Sequence, residues 1–107
     1  MKLHVVFDPN GTLVGDLDSM DFAKSQLELI QGTDKELEVR VANGLVIYAF
    51  RVLVKEGLIA PYNELFLYNI KTDPLLKKPI LVDKNGEQSE YPIGMLDEYS
   101  NILCRLI

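Results

Sequence analysis

Residues 36–57 read ELEVRVANGLVIYAFRVLVKEG, and this stretch decides the fold class. Over Glu36 to Arg40 the side chains alternate. Leu37, Val39 and Val41 fall on one side, and Glu36, Glu38 and Arg40 on the other. A period of two with one wet face predicts a half-exposed strand. At Asn43-Gly44 the pattern changes. From Leu45 to Glu56 the chain is apolar nearly all round, carries Arg51, Lys55 and Glu56 late, and meets a stop at Gly57. That predicts a helix buried on most sides. Strand, short turn and helix in this order imply an α/β domain.

Working outward, residues 3–7 (LHVVF) predict a strand closed by the turn signal Asp8-Pro9-Asn10-Gly11. Asp18 and Ser19 suit a helix N-cap, and Met20, Ala23, Leu27 and Ile30 recur on one helical face before Gly32. Residues 64–71 and 78–83 predict two more strands, with a turn at Lys84-Asn85-Gly86. Past the break at Tyr91-Pro92-Ile93-Gly94, Leu96, Tyr99, Leu103 and Leu106 predict a last amphipathic helix. The expected fold is α/β: a small, mostly parallel sheet flanked by helices, with right-handed crossovers and a C-terminal β-hairpin and helix. The expected organisation is one domain over residues 1–107. An α/β lobe forms residues 1–60, and residues 61–107 add the strand pair and the helix.

Composition narrows the function. The chain has 107 residues, 25% of them charged and 48% hydrophobic, as in an ordinary globule. A net charge of −5 argues against direct nucleic-acid binding, which needs a basic face. The longest apolar run, residues 44–50, is too short for a bilayer, and the N-terminal apolar stretch is too short for a signal peptide. A cytoplasmic protein with no membrane association is the expectation. Cys104 is the single cysteine and is read as a small core hydrophobe. His4 is the single histidine and is read as a satisfied side chain, not a ligand. No metal and no cofactor is expected. Tyr62, Tyr68, Tyr91 and Tyr99 are expected to be half-buried with wet hydroxyls.

Two stretches resemble known families. Phe7-Asp8-Pro9-Asn10-Gly11-Thr12-Leu13-Val14 resembles the first motif of haloacid-dehalogenase-like phosphatases. The resemblance implies Asp8 as a phosphoryl-accepting nucleophile with magnesium. The acid/base aspartate of that motif is replaced by Asn10, and no later GDxxxD-like segment follows.

The second resemblance covers most of the chain. Arg51 to Ile59, then Pro61 and Leu65-Phe66-Leu67-Tyr68, is similar to the C-terminal lobe of AAA/ABC-type ATPases related to OLD and SMC proteins. Asp83-Lys84-Asn85-Gly86 and Pro92-Ile93-Gly94-Met95-Leu96-Asp97-Glu98 are similar to the P-x-G-F-x-D-E signature ending one branch of that family. Pro92, Gly94, Asp97 and Glu98 are the signature positions, and the plainer reading of Asp97 and Glu98 is charge that complements the dipole of the expected last helix.

The resemblance implies half of a P-loop-like fold. It also implies a bacterial protein acting beside an ATPase or nuclease in DNA transactions or phage defence. In the Walker B place stand Phe7 and Asn10, with Asp8 one position out of register. Val41-Ala42-Asn43-Gly44 replaces the THS segment, and no G-x-x-x-x-G-K-[ST] loop exists to cradle phosphate. The expected function is therefore a non-catalytic interaction module with no enzymatic activity of its own; the alternative is a minimal phosphatase using Asp8. A lobe without its neighbour leaves a bare sheet edge, so a protein partner or a second copy is expected there.

Overall fold

The computed structural model describes residues 1–90. Four strands form one sheet: β1 (Lys2–Thr12), β2 (Glu36–Val41), β3 (Leu65–Asn69) and β4 (Ile80–Leu81). A short 3-10 turn (Asp16–Asp18) leads into α1 (Ser19–Ile30), and α2 (Gly44–Lys55) follows β2. The spatial order is β2-β1-β3-β4. β1 runs parallel to both β2 and β3, and β4 is antiparallel to β3. The α/β fold with a mostly parallel sheet is therefore the observed one, and β3 with β4 forms the expected antiparallel pair. The last predicted helix, with Tyr91, Pro92, Gly94, Asp97, Glu98, Tyr99 and Cys104, lies outside the described residues.

Each helix follows from its sequence. Ala23, Leu27 and Ile30 bury one stripe of α1. The Asn43 side chain caps α2 by accepting the Leu45 N–H at 2.9 Å, satisfying an amide that has no partner inside the helix. Gly57, at φ +81°, ends α2 in a conformation that L side chains rarely adopt. Val46, Ile47, Ala49, Phe50, Leu53 and Val54 of α2 are buried, as its sequence requires.

The core lies between the helices and one face of the sheet. Leu3 and Val5 of β1, Val39 and Val41 of β2, Leu65 and Leu67 of β3, and Ile80 of β4 all point into it. Both helices pack on that face and against each other. This corrects one expectation. β2 and β3 flank β1 on opposite sides, so the step from β1 to β2 and the step from β2 to β3 run in opposite directions. With both helices on the same face, the two crossovers have opposite hands, and only one can be right-handed.

A second correction concerns residues 8–11. The sequence predicts a turn that ends the first strand, but β1 continues to Thr12. Phe7 and Thr12 are both opposite Val41, so the residues between them loop out as an enlarged bulge. Thr12 rejoins the ladder, its carbonyl accepting the Ala42 N–H at 2.9 Å. Gly11 makes this possible. A Cβ there would sit 2.8 Å from the backbone carbon of Arg40 and the nitrogen of Val41, closer than any side chain tolerates.

Candidate functional site

The opposite face of the sheet carries the even-numbered residues of β1: His4, Val6 and Asp8. Their neighbours are Glu36, Glu38 and Arg40 of β2, and Phe66 and Tyr68 of β3. Period-two alternation puts them together, because parallel strands in register present one parity on each face. The wet side of β2 read from the sequence is this face.

His4 stands at its centre. Its ring stacks on Phe66, with centroids 5.3 Å apart and planes at 19°. Nδ1 lies 3.0 Å from the Tyr68 hydroxyl, and Nε2 lies 2.9 Å from Glu36 Oε1. The residues directly across from His4 are Glu38 and Phe66, so both polar partners are diagonal, two positions along their strands. The carboxylate only accepts, so Nε2 carries a proton and donates to Glu36. When His4 is neutral its Nδ1 accepts from Tyr68, giving a relay from the Tyr68 O–H through the imidazole to Glu36. The single histidine is thus satisfied, as expected.

The surroundings act on both ends of this relay. The hydrogen bond from His4 keeps Glu36 below its ordinary carboxylate value. Burial, then the charges of Asp73, Glu36 and Glu38, push Tyr68 above its ordinary value. Tyr68 therefore stays protonated and is a donor, not a base. Tyr68 is more deeply buried than the expected half-buried state, since only 6% of it is accessible. Tyr62, by contrast, is exposed; Tyr91 and Tyr99 lie outside the described residues.

Asp8 is buried, and both of its oxygens are engaged. Oδ1 accepts the backbone N–H of Asn10 at 2.9 Å, and Oδ2 accepts from Arg40 Nη1 at 3.2 Å. Arg40 also donates to Glu38 at 3.0 Å, and both carboxylates hold the guanidinium in its charged form, Glu38 foremost. Asn10 approaches Asp8 through its main chain. Among the described residues no group of three or more His, Cys, Asp or Glu side chains is arranged to hold a metal ion. The arrangement around Asp8 is that of an ion pair anchoring a bulge.

A cleft of ≈ 250 Å³ opens between His4, Glu38, Tyr68 and Leu76. The loop that brings Leu76 there is pinned by Asp73, whose carboxylate accepts the N–H groups of Lys77 and Lys78 at 2.9 and 2.8 Å. Those two bonds hold Asp73 below its ordinary value. The face as a whole presents carboxylates, one guanidinium and aromatic rings. It offers hydrogen bonding and charge matching.

The chain was compared with models of known protein families, with curated proteins and with solved structures. None matches.

The relay Glu36–His4–Tyr68 is the part that sequence reading missed as a unit. Its members were visible one by one. Their diagonal meeting depends on the register of three strands, which no local pattern states. No described helix is long and apolar enough to cross a membrane.

Proposed function

We propose that the protein is a non-catalytic interaction module that pairs with another polypeptide through the outer edge of β2. The observation that carries this reading is the position of β2 at the end of the sheet order. Among the described residues no strand pairs with its outer side.

The ladder identifies which amides are available. The Lys2 N–H donates to the Lys35 carbonyl at 3.1 Å, so by strand alternation the amides of Leu37, Val39 and Val41 turn toward β1. Those of Glu36, Glu38 and Arg40 turn outward. An outward row of donors and acceptors is a template for a further strand.

Charge selects what can bind there. Glu38 and Arg40 alternate in sign along the edge, which disfavours an arbitrary apolar strand. A second copy of β2, antiparallel about Val39, places Glu38 opposite Arg40 on both sides of the two-fold axis. Opposite charges directly across a strand pair are favourable. The edge thus favours the chain's own strand or one of similar charge pattern. The resemblance to OLD/SMC-like lobes would make a heterologous partner an ATPase or nuclease.

The test is Glu38→Pro. Proline removes an outward N–H but leaves the ladder to β1 untouched, as edge strands tolerate. Glu38→Gln controls for the lost charge. Association abolished by proline and kept by glutamine supports the edge; association indifferent to proline removes it.

A further inference from the structure

We propose that the flank of α1 carrying Phe22, Gln26 and Leu29 is the apolar half of the β2 interface, and that its occupant is the same flank of a second copy of this chain. This inference rests on the β2-edge reading and names its partner.

The packing of the helices places that flank over the open edge. α2 lies against β1 and β3. Its Arg51 donates at 2.6 Å to the carbonyl of Gly86, in the turn that follows β4. Ala49, two residues earlier, points about 200° away around the helix, and it faces Ser19 and Met20 of α1 across a hollow. α1 therefore lies on the side of α2 away from β4, which in the order β2-β1-β3-β4 is the side of β2. Within α1 the same rotation separates Met20 from Phe22. Phe22 thus turns away from α2, toward the outside of β2. Leu29, two turns on, shares its flank, with Gln26 between them.

A helix that only covers its own sheet is polar on such a flank. Here Phe22 is partly buried against the core and Leu29 is 65% exposed. A lone exposed leucine needs no explanation. An apolar flank beside an unpaired strand edge does, because together they make one continuous surface.

Area and pattern select the occupant. A stable dimer buries roughly 800 Å² on each partner, and an edge about 20 Å long and one strand thick supplies only a fraction of that. A strand added to β2 must also show apolar residues toward α1 and match Glu38 and Arg40 on the open face. β2 itself meets both demands. Paired antiparallel about Val39, it sets Leu37 opposite the partner's Val41 on the helical side and Glu38 opposite the partner's Arg40 on the other. Residues directly opposite share a face, so the helices of both copies fall on one side of a continuous sheet. The two α1 helices then run antiparallel, and Phe22 meets the partner's Leu29.

The test is the dimer dissociation constant of the full chain, by sedimentation equilibrium, for wild type, Leu29→Asp, Gln26→Leu, Lys24→Gln and Glu38→Pro. Leu29 and Lys24 are exposed, so their replacement leaves the fold intact, and Leu29→Asp and Lys24→Gln change the charge equally. Leu29→Asp is expected to weaken the dimer about tenfold or more, Gln26→Leu to tighten it about fivefold, and Lys24→Gln to leave it unchanged. Leu29→Asp pairing as wild type does, while Glu38→Pro is monomeric, overturns this inference and leaves the β2 edge standing. Equal weakening by Lys24→Gln also overturns it, since charge alone would then be the cause. A wild type that stays monomeric, or a Glu38→Pro protein that still dimerises, removes the edge and this inference with it.

Discussion

His4 Nε2 lies 2.9 Å from Glu36 Oε1, although Glu38 is the residue directly across from His4 on β2. The diagonal contact frees Glu38 to pair with Arg40 at 3.0 Å, and Arg40 in turn reaches Asp8. One reading of the open face follows from this. β1 and β2 are stitched by two separate polar links, and the aromatic side chains of β3 close the first of them.

The Tyr68 hydroxyl bond is the buried end of that link. Tyr68→Phe is expected to destabilise the protein by about 1 kcal/mol, the net worth of one hydrogen bond whose partner retains some access to water. Glu36 is exposed, and Glu36→Gln is expected to leave stability within error of wild type. Urea unfolding midpoints at unchanged slope measure both.

Stability at high pH depends on the same hydroxyl. Tyr68 is raised above its ordinary value of 10.0, so the unfolded chain loses this proton before the folded one does. The contribution is whole below about pH 10 and is lost as pH rises beyond it. The expected outcome is an alkaline fall in stability that is shallower in Tyr68→Phe. Asp73 behaves in the opposite sense. Its folded value lies below the ordinary 3.8, so its contribution is present above that pH and is lost as pH falls further. Asp73→Asn is expected to flatten the acid limb. Denaturation series at stepped pH check both signs.

Fold class was legible because it rests on local patterns. The alternation over Glu36 to Val41 and the apolar run after Asn43 appear as β2 and α2 with nearly the expected bounds. The turn residues Asp8 to Gly11 misled. The same residues serve a turn that ends a strand and a bulge that rejoins it, and only the pairing of Thr12 with Val41 distinguishes the two. The hands of the crossovers were not legible either, because they depend on which face each helix takes. The site was half legible: His4 could be judged satisfied, but its partners come from strands 32 and 64 residues away.

Gly11 is the sharpest steric test of the bulge. Gly11→Ala forces a Cβ against main-chain atoms of Arg40 and Val41 that cannot swing aside. A loss of about 1–3 kcal/mol is expected, as for other overpacked sites. Loss of protection from amide exchange at Ala42 would accompany it, since that amide bonds Thr12.

Asn43 joins three elements. Its side chain caps α2 through Leu45, donates to the Val14 carbonyl at 2.7 Å and donates to Asp16 at 2.8 Å. Asn43→Ala is expected to cost about 1–2 kcal/mol, at the upper end for a lost N-cap. Asn43→Asp keeps the cap but sets a carboxylate against the Val14 carbonyl and Asp16, to which Asn43 donates, and should cost at least as much as Asn43→Ala. Thermal unfolding of the three proteins ranks them.

The solution mass of wild type, Glu38→Pro and Glu38→Gln, by light scattering across a tenfold range of concentration, tests the central claim most directly. Pairing through β2 predicts a wild-type dimer, a weaker but still measurable dimer for Glu38→Gln, which keeps the amide and loses the cross-strand charge pairs, and a monomer for Glu38→Pro with an unchanged far-ultraviolet spectrum. A Glu38→Pro protein that associates as wild type does, or a wild type that stays monomeric throughout, contradicts it.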